Sequence, residues 1–154
     1  MTLITTSRKP VQNTRTFSKA LGALLPMSEY KARGKSALET IIEYAGSRGH
    51  GTVIIIEEKN GNPKSIRSLK IHNHEWDWQP RYLEILGYRL VKKSGPVKDI
   101  EVLGSSTDAI TELFGIESTD AVEVSLKAED NELVFAKNDE QLMKVRIKIQ
   151  KMEV

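Results

Sequence analysis

Residues 52–59, TVIIIEEK, hold four consecutive β-branched aliphatic residues, Val53 to Ile56, between turn-forming stretches. A surface helix shows one apolar stripe and a half-exposed strand alternates. A short unbroken run of this kind is what a strand buried on both faces requires. The chain must therefore supply cover for two faces of a sheet, and the preceding residues indicate what supplies it. Phe17, Ala20, Leu21, Leu24 and Leu25 recur at helical spacing. They predict a helix from about Thr14 to Leu25, capped by Asn13 or Thr14 and stopped by Pro26. Leu38, Ile41, Ile42 and Ala45 predict a second helix. Ser36 opens it as a capping box with Glu39, and Gly46, Gly49 and Gly51 close it. Leu3–Thr6 and Met27–Tyr30 read as short strands ahead of the two helices. The order strand, helix, strand, helix, strand predicts an α/β (α+β) fold, a mixed sheet flanked by helices. Asn60-Gly61 then predicts a hairpin that returns through Ser65–Ile71.

The second half repeats the pattern more faintly. Tyr82–Val91 and Lys98–Leu103 read as strands, and Ser106–Phe114 as a helix ended by Gly115. Val122, Val124 and Leu126 alternate, Asp130-Asn131 is a turn, and Leu133–Ala136 returns. In Met143–Ile149 the odd positions are apolar, while Lys144, Arg146 and Lys148 share the other face. Strand-then-helix units in both parts predict one domain over 1–154 with two similar halves, about 1–80 and 81–154.

Charge is distributed unevenly between these parts. The 154 residues carry a net charge of +2, yet residues 1–40 hold seven basic side chains against two acids. The rest is mildly acidic, so the molecule points a positive end at a polyanion. Cysteine is absent. That rules out a disulfide framework and any thiolate metal site, and points to an intracellular, cytoplasmic setting. No apolar run reaches the length of a membrane span, and MTLITTSRKP turns basic too early for a secretory signal.

Two segments concentrate the positive charge. Thr5–Lys19, TTSRKPVQNTRTFSK, contains no acid. Its loop leaves the carboxyl end of a predicted strand just before a helix N-terminus, where ligands gather in open α/β sheets and where the helix dipole favours anions. Arg8, Lys9 and Arg15 supply charge, and Thr5, Thr6, Ser7 and Thr14 supply hydroxyls. YKARGKS repeats the arrangement with Lys31, Arg33 and Lys35, and Gly34 permits a sharp bend. GKS is the tail of a phosphate-cradling loop whose upstream glycine is missing, which argues against a nucleotide pocket. The chemistry suits phosphate oxygens of a nucleic-acid backbone.

These segments, with IIIEEKNGNPKSI, resemble in order and spacing the successive signatures of the Brix-domain family, over roughly the first 70 residues. The resemblance implies a ribosome-biogenesis factor that binds ribosomal RNA or its precursor and assists processing and subunit assembly. It also implies ribosomal or assembly proteins as further partners, and a fold like the anticodon-binding domains of class II aminoacyl-tRNA synthetases. Thr6, Ser7, Arg8, Lys9, Pro10, Thr14 and Arg15 match the first motif. Arg33, Gly34 and Lys35 match the second, and Gly61, Asn62 and Pro63 the third. At Val11-Gln12-Asn13 the chain departs from the pattern, which there has a serine and a basic residue. The archaeal members of the family are stand-alone domains of about this length.

Other groups point to less. His72 and His74 read as neighbours on one strand face beside Glu75; a zinc site would need His50, the only further histidine, or a carboxylate to complete it, and surface or loop histidines are the favoured reading. Trp76 and Trp78 share a face if extended. The acids beside them favour packing over base stacking. Arg89, Lys92 and Lys93, with Lys144, Arg146 and Lys148, would lengthen a basic groove. No serine or threonine has a base placed to activate it. The reading is a non-enzymatic RNA-binding protein without cofactor or metal. Its contacts are Thr6, Ser7, Arg8, Lys9, Thr14, Arg15, Lys31, Arg33, Gly34, Lys35, Lys144, Arg146 and Lys148. A small enzyme gripping a nucleotide or phosphate substrate with the same loops is the alternative, and a module docking an acidic protein a third.

Overall fold

A computed structural model describes residues 1–120 and 123–152. In chain order the elements are β1 (Thr2–Thr6), α1 (Gln12–Leu24), β2 (Ser28–Tyr30), α2 (Leu38–Ser47), β3 (Thr52–Lys59), β4 (Asn62–His72) and β5 (Glu75–Trp78). They continue with β6 (Arg81–Leu90), β7 (Glu101–Leu103), α3 (Thr107–Phe114), β8 (Val124–Ala128), β9 (Glu132–Lys137) and β10 (Glu140–Lys151). All ten strands join one mixed sheet in the order β2-β1-β3-β4-β6-β10-β9-β8-β7, with β5 added beside β4. The pairs β1–β2, β1–β3 and β7–β8 are parallel, and the others antiparallel.

The β-branched run behaves as its composition requires. Ile54 and Ile56 of β3 face a core that contains Phe17, Leu21 and Leu24 of α1 together with Ile110, Leu113 and Phe114 of α3. Val53 and Ile55 face the opposite side, against Ile41, Ile42 and Ala45 of α2. The sheet curls around α1 and α3, while α2 lies outside it on the first half alone. Each half contains a strand, a helical connection, a parallel strand and an antiparallel return: β1-α1…β3-β4 and β7-α3-β8-β9. Gly115 ends α3 with φ +65, and a Cβ there would stand 2.3 Å from Thr52 Oγ1. Only glycine lets α3 close this tightly onto the strands of the first half.

Several local expectations are corrected. Helix α1 begins at Gln12, with Val11 rather than Asn13 or Thr14 in the cap position, and Thr14 is buried within it. The Ser36–Glu39 capping box does not form: α2 starts at Leu38 and its cap residue is Ala37. His72 ends β4 while His74 sits in the following turn with φ 73, so the two do not share a strand face. That turn leads into β5, which pairs Trp78 with Leu69 and Trp76 with Ile71. Both tryptophans are half-buried against the α2 side, their rings edge-on at 5.7 Å. Val122, expected to open β8, lies outside the described residues.

Candidate nucleic-acid interface

Parallel pairing of β1 with β2 and β3 forces the chain out of the sheet at one edge after Thr6 and again after Tyr30. Ser7 N donates to Ile56 O (2.9 Å) and Lys31 N to Ile4 O (2.9 Å), so each loop starts anchored to a neighbouring strand. The loops then meet. Lys9, with φ 52, donates its N–H to Gly34 O (2.9 Å), and Gly34 is itself left-handed at φ 55. Arg33 completes the junction: Nη1 donates to Thr6 O (2.9 Å) and Nε to Ser36 O (2.8 Å). The two basic segments, distant in sequence, form one rim.

Within the rim the expected contact residues separate into two groups. Arg8, Lys9, Gly34 and Lys35 are exposed, and Ser7, Arg15 and Lys31 are partly so. Lys31 rests its ammonium 4.2 Å from the centre of the Tyr44 ring. Arg15 folds back, donating to Pro10 O (2.7 Å) and Gln12 Oε1 (2.8 Å), and so holds the first loop against α1. Thr6, Thr14 and Arg33 are buried, Arg33 at 8% exposure. Burial lowers the Arg33 guanidinium pKa from its usual value, the nearby Arg8 charge adds to this, and Glu39 opposes it. The expectation that Arg33 and Thr14 reach outward to phosphate does not fit this placement; both act inside the protein.

The N-terminus of α1 also has a carboxylate of the chain beside it. Glu58, near the end of β3, accepts from Val11 N (3.1 Å) and Thr14 Oγ1 (2.6 Å). A carboxylate of the chain itself occupies the place where the dipole welcomes negative charge. The sequence held one signal for this, the Glu57-Glu58 pair closing the buried strand, but no spacing rule links it to residues 44 positions earlier.

The remaining candidates lie elsewhere. Lys144, Arg146 and Lys148 project from the outer face of β10, separated from β1 by β3, β4 and β6. Lys144 is paired with Glu132 (3.2 Å), Arg146 lies over Gly87 and donates to Leu86 O (3.3 Å), and Lys148 is exposed. Buried His50 places Nε2 2.8 Å from Glu29 Oε1. Among the described residues no three His, Cys, Asp or Glu side chains converge as metal ligands. No helix is long and apolar enough to cross a membrane, again among the described residues.

A curled mixed sheet around two helices defines a class of α+β protein known from solved structures. One is the crystal structure of a probable ribosomal biogenesis protein from Aeropyrum pernix K1: TM-score 0.80, 22% identity, 96% of this chain and 94% of that one. Another is Mil, an archaeal Imp4-like protein: TM-score 0.72, 24% identity, 97% and 99%. These establish the fold. No family model matches the chain. In sequence it is 35% identical over 95 residues to the "Probable Brix domain-containing ribosomal biogenesis protein" of Pyrococcus horikoshii, covering 62% of this chain and 42% of the relative. The protein of that name from Thermococcus kodakarensis is 34% identical over 95 residues, covering 62% and 45%. The chain is a homologue of the archaeal Brix domain-containing proteins, and its match spans under half the length of these curated relatives.

Proposed function

We propose that this protein is a cytoplasmic ribosome-biogenesis factor that binds ribosomal RNA or its precursor through the rim formed by the two basic loops, assisting processing and subunit assembly without catalysing a reaction. The observation that carries this reading is the direct joining of the loops, Lys9 N to Gly34 O. It sets Arg8, Lys9 and Lys35 side by side and exposed. Phosphates along an RNA strand are the polyanion such a strip fits. Lys31 and Arg15 flank it, while Thr6, Thr14 and Arg33 hold its shape. Lys144, Arg146 and Lys148 provide a separate and weaker contact, since Glu132 already neutralises one of them. Ribosomal or assembly proteins are the further partners that the relatives' names suggest.

The geometry does not favour the nucleotide-enzyme alternative. Glu58 fills the N-terminus of α1, where a bound phosphate would sit. Gly34-Lys35-Ser36 wraps around the Arg33 side chain instead of cradling an anion.

Replacing Arg8, Lys9 and Lys35 together with alanine tests the proposal. The slope of log affinity against log salt for a structured ribosomal RNA fragment should fall by about 2–3, nearly one for each phosphate no longer neutralised. An unchanged slope in a variant that melts normally would place the RNA elsewhere.

A further inference from the structure

Beyond the rim, one concavity is unlike the others in its chemistry. It is a groove of about 480 Å³ between α1 and the chain that leaves β6. Ala20, Ala23 and Leu24 form one wall, and Val91, Leu142 and Met143 the other. Val91 is 45% exposed, high for an aliphatic side chain in a concave site. The groove is preformed. Val91 N and Lys92 N both donate to Leu142 O (2.9 and 3.2 Å), and Val97 N donates to Ala23 O (3.1 Å), which ties the far end to α1.

Lys19, Lys92 and Lys93 stand around this aliphatic floor, and among the described residues no acid lines it. Lys92 reaches out to Glu140 at 3.4 Å, but both side chains are about 60% exposed, so an incoming carboxylate can compete with that pair. We propose that the groove docks an acidic, amphipathic segment of a partner protein, with apolar side chains on the floor and carboxylates on the three lysines. RNA fits less well. Single-stranded bases are held by stacking on aromatic faces, and among the described residues no aromatic side chain lines this groove. Aliphatic walls between lysines match a helix with one apolar and one acidic face. The inference is independent of the rim: it concerns a protein partner and different residues.

The test uses the full chain and a fluorescein-labelled 20-residue amphipathic peptide of leucine, alanine, glutamate and aspartate. A peptide of the same pattern with lysine replacing the acids and an oligouridine 12-mer are run beside it. The acidic peptide should bind and shift the amide resonances of Ala20, Ala23 and Val91. Affinity should fall by about tenfold or more in Lys92→Glu/Lys93→Glu, where attraction becomes repulsion, and fall again in Val91→Asp. Lys93→Glu alone provides a milder variant should the double one melt early. Three results would overturn the proposal. They are no binding of the acidic peptide, shifts confined to Arg8, Lys9 and Lys35 with affinity unaltered by the variants, or oligouridine displacing the peptide from the same resonances.

Discussion

The two halves end in the same construction with opposite charge. In the first, β1 leads through Ser7–Val11 into α1, and Glu58 at the end of β3 accepts from Val11 N and Thr14 Oγ1. In the second, β7 leads through Gly104–Ser106 into α3. There Glu129, just past β8, accepts from Ser105 N (3.1 Å) and Ser105 Oγ (2.7 Å), and Asp130 accepts from Ser106 Oγ. In each half, then, a carboxylate at or just past a parallel strand hydrogen-bonds the residues that lead into the helix. What differs is the connection. The first half carries Arg8 and Lys9 there and adds β2 with Lys31, Arg33 and Lys35. The second has Gly104-Ser105-Ser106, without charge, beside two acids. A helix N-terminus alone therefore does not distinguish the two edges, because each half has one with a carboxylate beside it. What sets the first edge apart is full charges on two interlocked loops, on which the proposed RNA contact rests, over a skeleton that the other half shares.

The largest expected effect comes from unlocking those loops, for which the second half has no counterpart. Arg33→Ala leaves Thr6 O and Ser36 O without their charged donor inside the protein. A buried acceptor so abandoned costs about 1–3 kcal/mol, so urea unfolding should show a loss of about 2–4 kcal/mol. RNA affinity should fall with it, although Arg33 is buried. Arg33→Lys keeps the charge but not the planar fork, and should recover only part of either loss. Wild-type stability in Arg33→Ala would show that the loops hold together without it, and the contrast with the second half would then reduce to composition.

Glu58 and Glu129 offer a sharper and smaller test of the shared part. Glu58→Ala removes the acceptor for Val11 N and Thr14 Oγ1 and should cost about 1 kcal/mol, as lost N-terminal caps do. Glu129→Ala should cost less, because its partners are exposed to water that can replace it. On RNA the two should separate cleanly. Removing Glu58 takes a negative charge out of the basic rim and should strengthen binding, whereas removing Glu129 should leave it unchanged. Equal effects on RNA would mean that both ends contact it.

How much of this the residues announce depends on range. Val53–Ile56 announce a strand covered on both faces, and Asn60-Gly61 announces its hairpin; both signals are contiguous and strong. The start of α1 differs from expectation because what fixes it is tertiary, and that of α2 because a neighbouring arginine takes the place of the box. Thr14 is held by Glu58, 44 positions on, and the Ser36 carbonyl by the Arg33 side chain instead of a local box. The same distance hides the inward turn of Arg33. In sequence it is one cation of three in a basic loop, and only the approach of Thr6 from β1 distinguishes it from Lys35. β5 is not legible as a strand because its alternation, Trp76 and Trp78 between acids, spans four residues and gains meaning only beside Leu69 and Ile71.

The smallest expected effect concerns acid, and it orders the two halves by pH. α2 covers only the first half, and Glu29 of β2 fastens its end. Burial alone would raise the Glu29 pKa, but hydrogen bonds from Tyr44, His50 and Arg48, with the Arg48 charge, outweigh it and hold the pKa at about 2. Hydrogen bonds from the Ser105 side chain and amide likewise lower Glu129, without so large a displacement. A carboxyl whose pKa is depressed by folding stabilises the native state above the unfolded value near 4.5, and that contribution is lost as pH falls through the folded value. Amide resonances followed downward from about pH 5 should therefore move first at Ser105, as Glu129 takes its proton. Those around Tyr44 and Arg48 should hold until pH approaches about 2. The gain in stability is small, because Arg48 is 55% exposed and water screens the pair. Its sign is nonetheless testable: Glu29→Gln should be less stable than wild type at about pH 7 and converge with it near pH 2. Arg48 and Tyr44 moving before Ser105 would reverse the order and assign the tighter carboxylate to the second half.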